Sequence, residues 1–329
     1  MKNEVLGIDI SKLTFDVYLY CKESYQLFSN DKKGFSKLKK WLKQNKVILE
    51  ELLVCFEHTG MYSYQLSEYL SLNNIDYVME SAIQIKRSLG LVRGKNDKVD
   101  AKRIAEYAFM RRDKLKLSKP PTKNISRIEK LLSLRETMVK HRAIYKVLLS
   151  ENTRILNKTE HKCFFNAQSK LIKDLNRQID KIELEILSII KSNKEMNEVY
   201  RLVTSVKGVG FVLGAYFIST TSCFTKFSNG RKYSCYCGTA PFEHSSGTSL
   251  NLKKRVNHMA NKKMKSLLNM AARCVIVHDP ELKVYYNRKV EEGKNKMSTL
   301  NAVRNKIIHR VFAVVNRGTP FVTLQNHLS

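Results

Sequence analysis

Acid, long apolar runs and paired cysteines are all scarce in this chain of 329 residues. Its 30 aspartates and glutamates face 59 lysines and arginines, a formal net charge of +29. A soluble protein so short of acid ordinarily meets a polyanion, because neutralising phosphates releases condensed counterions and steers association. Ribosomal and membrane-surface proteins share that balance, so it names a class of partner and not a chemistry. The longest apolar stretch, Val209 to Ile218, is about half of a membrane span, and no spanning helix is expected. The first residues, MKNEVLGIDI, have neither a long apolar region nor a small-residue cleavage pattern, so no secretory signal is expected. The seven cysteines (Cys21, Cys55, Cys163, Cys223, Cys235, Cys237 and Cys274) are odd in number and nowhere spaced CxxC. Reduced, mostly buried thiols in a cytoplasmic chain fit better than a disulfide framework. Cys235 and Cys237 flank one residue, a weak zinc signal beside the plainer reading of two pocket-lining thiols.

What is present divides the chain in three. Residues 1–115 alternate strand and helix: VLGIDI, TFDVYLYC with Phe15, Val17, Leu19 and Cys21 on one face, YQLFSN, LLVCFE and IDYVME read as strands. Asn30 or Asp31 caps a helix carrying Phe35, Leu38 and Leu42, YSYQLSEYLSL is a second helix, and helical segments follow around 82–90 and 98–111. The expected architecture is a mixed sheet flanked by helices. Pro120–Pro121 ends it. Residues 120–195 read as a connector of two long helices, 125–155 and 170–191. Ile172, Leu175, Ile179, Ile182, Ile186 and Ile189 form a heptad seam on the second, and Leu131, Leu134, Met138, His141, Tyr145 and Leu148 keep a similar step on the first. An antiparallel hairpin, a coiled coil between subunits and plain core-facing helices all fit. Residues 200–329 form a mostly helical third region with a loop-rich stretch at 222–251.

Four acids in this basic chain stand at element ends. Asp9 closes the first strand and Glu57 a later one, while Asp97 and Asp100 lie three apart at a helix start and share a face. Carboxylates so placed suit magnesium, which takes oxygen ligands and leaves room for substrate phosphate. Two such ions clamp the attacking and leaving oxygens of a phosphoryl transfer. Lys95, Lys98, Lys102 and Arg103 are candidates for holding the phosphate backbone. A turn residue at Asp9 and a helix cap at Asp97 are the structural alternatives. Asp16 is left out of the set, on the expectation that it occupies the strand face opposite to Asp9.

In YCGTAPFEHSSGTSLNLKKR a serine among Gly238, Pro241, Ser245, Ser246, Gly247 and Ser249 is ordinarily a turn former. A nucleophilic serine would need a route for its proton and a pocket for developing charge. His244 or a metal ion could serve the first, and Lys253, Lys254 and Arg255 the second. LVTSVKGVGFVLGAYF has the spacing of a helix-hairpin-helix, with Gly208 and Gly210 letting the backbone approach a phosphate. A tight turn inside the core fits the same residues. KKRVNHMANKKMKSLL and VRNKIIHRVFAVVNR pair basic residues with an apolar stripe, and the overall charge favours a nucleic-acid-facing surface. His58, His258 and His309 read as packed or exposed polar residues and not as ligands.

The order strand–strand–strand–helix–strand, with Asp on the first strand and Glu on the fourth, resembles the ribonuclease-H-like fold of Holliday-junction resolvases. GIDISKLTFDVYL, CFEHTG and VRGKNDKVDAKRIAEYA further resemble the insertion-sequence-110 family of transposases, RNA-guided recombinases to which pilin-gene invertases are related. The resemblance runs through nearly the whole chain. It implies a RuvC-like domain (1–115), a helical hairpin or coiled-coil connector (120–195) and a mostly α-helical C-terminal transposase domain (200–329). It also implies that Asp9, Glu57, Asp97 and Asp100 bind Mg2+ or Mn2+, and that the serine after the Gly-x-x-Pro segment, here Ser246 with Ser245 just before it, is the nucleophile. The implied partners are donor and target double-stranded DNA and a structured non-coding guide (bridge) RNA, acted on by a homo-dimer or tetramer on the bacterial nucleoid, with no membrane. A resolvase-like nuclease using water would need neither Ser246 nor a separate C-terminal domain. A non-enzymatic nucleic-acid-binding protein would leave the placement of four acids unexplained.

Overall fold

The computed structural model describes residues 2–88, 96–246 and 250–322, and for residues 243–246 and 250–255 the backbone alone. The chain forms two compact units, Met1–Pro120 and Pro121–Ser329.

In the first unit, β1 (Glu4–Ile10), β2 (Thr14–Leu19) and β3 (Ser24–Ser29) form an antiparallel meander. Helix α1 (Lys32–Gln44) follows, its first turn capped by the Asp31 carboxylate, which accepts from the Gly34 amide at 2.7 Å. Strand β4 (Leu52–Glu57) then pairs parallel to β1, and β5 (Tyr77–Glu80), after helix α2 (Tyr64–Leu72), pairs parallel to β4. The strand order is β3-β2-β1-β4-β5. Helices α3 (Ala82–Ser88) and α4 (Asp97–Arg111) complete the unit.

Alternation along the strands decides what each sheet face holds. Leu6, Ile8, Phe15, Val17, Leu52, Val54 and Phe56 pack on one side with Phe35, Leu38 and Leu42 of α1. Val5, Leu53, Cys55 and Val78 pack on the other with Ile104, Tyr107 and Ala108 of α4. Burial of each such side chain stabilises the unit by about 1.5–3 kcal/mol before its entropy cost. The two-sided core explains why β1 and β4 read as continuous apolar runs.

The second unit opens with α5 (Lys123–Ile155) and α6 (Lys162–Ser192), antiparallel and clasped by Arg127–Glu185 and Arg135–Glu183 ion pairs, both 2.7 Å. On α6, Ile172, Ile179, Ile182, Ile186 and Ile189 are buried as the heptad predicts, and the helix begins earlier than expected, with Phe165 and Gln168 continuing the stripe. The stripe expected on α5 is different in the structure. Ile125, Ser126, Ile128 and Leu132 are its buried residues, Leu131 and Met138 of the expected stripe are half-buried against the same core, and Leu134, His141 and Leu148 are exposed. The reason is that the start of α5 serves two neighbours, α6 and also α8 (Phe211–Thr221) through Ala215 and Ile218, which rotates its buried face away from a single seam.

Helices α7 (Lys194–Thr204), α8, α10 (Lys262–His278), α11 (Pro280–Glu291) and α12 (Lys296–Arg317) build the remaining core. The stretch 222–251, expected to be loop, instead holds α9 (Gly230–Tyr236) and strand β6 (Pro241–Ser246), which pairs antiparallel with β7 (Leu250–Val256). Cross-strand pairing overrides the turn preference of its serines and glycines. All seven cysteines are free thiols. Cys237 lies in the core and Cys235 is half-buried.

Candidate active site

The acids at the strand ends form a row. Asp9 follows Val5 and Gly7 on the α4 side of β1, and Glu57 follows Leu53 and Cys55 on the same side of β4. The β1–β4 register runs to Ile8↔Phe56, so Asp9 and Glu57 come next on their strands. Glu57 pairs with Glu80 at the end of β5, and Asp9 pairs with Asp16 of β2. Directly paired residues project to the same face. The spatial order is therefore Asp16, Asp9, Glu57, Glu80.

Helix α4 brings two more acids to this face. Its approach depends on Gly7, where a Cβ would lie 2.3 Å from both the Ala101 carbonyl oxygen and the Ala105 nitrogen. Only small residues at the crossing let the helix backbone lie on the strand. Asn96 caps the helix, accepting from the Lys98 amide at 2.8 Å, so Asp97 is not the cap and stands with Asp100 in the first turn. Negative charge is favourable there, at the positive end of the helix dipole. Arg103 donates to Asp100 at 2.9 Å.

The crowding shows in the electrostatics. Burial, and then Glu57, Asp100, Asp97 and Asp16, push the Asp9 carboxyl up to about 6. The Tyr25 hydroxyl donates to Asp16 at 2.5 Å, and that bond leads the forces pushing the phenol up to about 12. Burial, then Glu80 and the bond that the hydroxyl donates to it at 3.1 Å, push Tyr107 up to about 12 as well. Among the described residues no three His, Cys, Asp or Glu side chains form a ready ligand cage. The acids are electrostatic neighbours that supply oxygen donors only, a donor set of the kind a hard divalent cation takes.

Asp16 corrects the reading of the sequence. It lies on the same face as Asp9 and is only 6% exposed. The signal was available: Ile10 and Phe15 pair across a tight turn, and Asp9 and Asp16 each stand one residue outside that pair. Tyr25, Glu80 and Tyr107 were also missed, and only tertiary packing joins them to the row. Of the basic candidates, Lys98 lies over the Tyr25 ring at 5.0 Å and Lys102 over Tyr18 at 5.6 Å. Arg103 is paired with Asp100, and Lys95 lies outside the described residues.

In the second unit Ser246 ends β6 opposite Leu250, and Ser245 pairs with Asn251. Lys253, Lys254 and Arg255 belong to β7, whose side chains at these positions lie outside the described ones. Gly208 sits in the α7–α8 turn at φ +84°, where a Cβ would meet Val275 at 2.4 Å, so its glycine serves the core. Gly210 differs. It caps α8 without a side-chain bond, and a Cβ there would meet nothing within 4 Å.

Comparison with known proteins assigns this architecture to the class of transposases. A transposase family model matches residues 6–152, and the model of the IS116/IS110/IS902 transposase family matches residues 200–287. The pilin gene-inverting proteins of Moraxella bovis and Moraxella lacunata are each 26% identical over 98% of this chain and 98% of their own length. An uncharacterised IS110 insertion-element protein of Streptomyces coelicolor is 29% identical over 36% of this chain and 29% of its own. The chain belongs to the IS110 family of transposases, enzymes of DNA recombination, and its substrate is DNA. No helix among the described residues is long and apolar enough to cross a membrane.

Proposed function

We propose that this transposase cuts and rejoins DNA through a covalent seryl–DNA ester, assisted by divalent cations at the strand-end acids and directed by a structured guide RNA. The observation that carries the reading is the row of carboxylates around Asp9, whose repulsion is relieved by a bound cation. The strand order 3-2-1-4-5, with the first three strands antiparallel and the last two parallel, supports a ribonuclease-H-like fold of the RuvC kind for the first unit.

Asp9, Glu57, Asp97 and Asp100 hold Mg2+ or Mn2+, which supplies charge stabilisation at the oxygens of the phosphoryl group in flight. Asp16, held by the Tyr25 hydroxyl, keeps the negative potential of the row high beside Asp9. The Ser246 oxygen forms a bond to phosphorus while the bond from phosphorus to one sugar oxygen breaks. The hydroxyl proton passes to a base, for which His244 on the same strand is the candidate, and the departing sugar oxygen takes up a proton. The ester conserves the phosphodiester's free energy, so attack by a second DNA end rejoins the strands without an added energy source. The +29 charge supports retention of RNA through its backbone and shape. Two DNA ends must be held together, and the α5–α6 hairpin, with Ile144 and Val147 each 56% exposed, is the natural contact in a dimer or tetramer.

The test is a DNA substrate nicked beside the cut, which traps the covalent intermediate. Ser246→Ala is expected to lose the adduct and all strand exchange while still binding DNA and RNA, and Ser245→Ala to keep the adduct. Cleavage by Ser246→Ala at the wild-type rate would mean that water attacks, as in a resolvase-like nuclease. Chelator, Glu57→Gln and Asp97→Asn are each expected to abolish cleavage, and full activity in any of them removes the acids from the mechanism.

A further inference from the structure

Helices α10 and α12 pack through Leu268, Ala272 and Val275 against Val303, Ile307 and Val311. A polar band interrupts that apolar seam. Lys265, Asn269 and Arg273 recur at four-residue steps on α10, and Asn301, Arg304 and Asn305 face them from α12. Arg304 is only 6% exposed. One of its terminal nitrogens donates to the Asn269 side-chain oxygen at 2.5 Å and the other to that of Asn301 at 3.3 Å. Its buried Nε has no hydrogen-bond partner. The side-chain amides of Asn301 and Asn305 donate to the Thr239 carbonyl at 2.7 and 2.9 Å, and the Thr239 hydroxyl donates to the Asn305 oxygen at 2.7 Å. Thr239 precedes β6 by two residues, so the band holds the root of the hairpin that carries Ser246.

A buried guanidinium ordinarily faces a carboxylate, because removing a charge from water costs several kcal/mol unless it is paired. The same helix shows the ordinary solution one turn and a half further on. Arg310 donates to the buried Asp279 at 2.8 Å and to Glu281 at 2.5 Å. No described carboxylate bonds to Arg304, and the charge that bears on it is the cation Arg273. Lys265 in turn feels burial and then Arg304, which together hold its ammonium below the usual lysine range. Folding thus sets Lys265 and Arg273 near a buried guanidinium whose only bonded companions among the described residues are amides. Such an arrangement costs stability in the free protein and is repaid by an anion. Arg304, its terminal nitrogens held by Asn269 and Asn301, supplies a buried positive charge, and the half-buried Lys265 and exposed Arg273 are the cations at the rim that suit the oxygens of a phosphodiester.

We propose that Arg304, Lys265, Arg273 and Asn269 form a binding site for a phosphodiester of the DNA strand, at the foot of the β6–β7 hairpin. The proposal rests on DNA being the substrate and is independent of which group attacks it, so a failure of the Ser246 test leaves it standing. Its experiment uses the full chain, with Lys265→Gln and Arg273→Gln, a labelled DNA duplex and an RNA hairpin of equal length, and binding measured across a salt series. Each substitution is expected to lower the slope of log affinity against log salt on DNA by about one, the mark of one lost phosphate contact. The thermal unfolding midpoint is expected to stay or rise, since each change relieves like-charge repulsion. Arg304→Gln is expected to weaken DNA binding further, and the two rim variants decide the matter if it does not fold. Wild-type slopes on DNA for both rim variants, a slope lost on RNA alone, or lowered midpoints that mark a structural role would each overturn the site.

Discussion

The two units treat like charge in opposite signs but by the same physics. In the first, Asp16, Asp9, Glu57 and Glu80 lie in a row across four neighbouring strands, near one end of the sheet, and Asp97 and Asp100 join them from a helix start. In the second, Arg304 lies buried between two helices with amide partners, and Lys265 and Arg273 are its cationic neighbours. Opposite charges do pair at other places in the chain, as in Arg135–Glu183 and Arg310–Asp279. These are two places where folding crowds charges of one sign, and they are the two places proposed for a ligand of the opposite sign: cations in the first, phosphate in the second. Where folding crowds charge of one sign, and not how many charges the chain carries, is what marks out a candidate site.

The largest effect expected from breaking this comparison comes from geometry. Gly7→Val would drive a side chain into the backbone of Ala101 and Ala105, with clashes beginning at 2.3 Å. Overpacking of this kind costs about 1–3 kcal/mol. Moving α4 also withdraws Asp97 and Asp100 from Asp9, so cleavage is expected to fall at least a hundredfold although no acid has been changed. Cleavage assays beside a denaturation curve separate the two effects. Wild-type cleavage by Gly7→Val would mean that the helix-borne acids need not stand near β1.

A smaller effect, of opposite sign, sharpens it. In metal-free buffer near neutral pH, Asp9→Asn removes one charge from a crowded row. After allowance for solvent screening of a partly exposed group it is expected to stabilise the protein by about 1 kcal/mol, a few degrees in the unfolding midpoint. Adding Mg2+ is expected to raise the wild-type midpoint and to raise that of Asp9→Asn much less, because a cation that binds only the folded state stabilises it by mass action. Thermal unfolding with and without the ion reads both. A drop in the metal-free midpoint of Asp9→Asn would show that the row is not under repulsion.

The smallest expected effect on cleavage is that of Tyr25→Phe. It removes the bond to the buried Asp16 carboxylate and costs about 1–3 kcal/mol, the penalty of a buried acceptor left unmatched. Cleavage is expected to change less than tenfold, since Tyr25 acts on Asp16 and touches no proposed ligand of the cation. A loss as complete as that of Glu57→Gln would move Tyr25 and Asp16 into the site itself.

Much of the first unit was legible because its strands are short apolar runs ending in acid, and the sheet has few other ways to bury both faces. Asp9, Glu57, Asp97 and Asp100 stood out for the same reason: acids are rare in this chain and these four sit at element ends. Asp16 was misjudged because its face was read from one strand, whereas the turn geometry between Ile10 and Phe15 sets which residues are opposite. The β6–β7 hairpin was hidden by serines and glycines whose local preference is for turns. The stripe on α5 was misplaced because a helix packed against two neighbours buries a wider arc than one seam.

By itself the sequence determined the element types of the first unit and of the long helices, the two-sided burial of the sheet, the excess of positive charge and the placing of acids at strand ends, since each follows from local periodicity and composition. Only the tertiary structure decided which charges meet. Arg304 reads as one basic residue among 59 until the packing of α10 on α12 buries it beside Asn269, and Asp16 reads as a misplaced acid until strand pairing sets it against Asp9. Charge interactions depend on distance and burial, and both are properties of residues far apart in the chain brought together by a core that carries no charge.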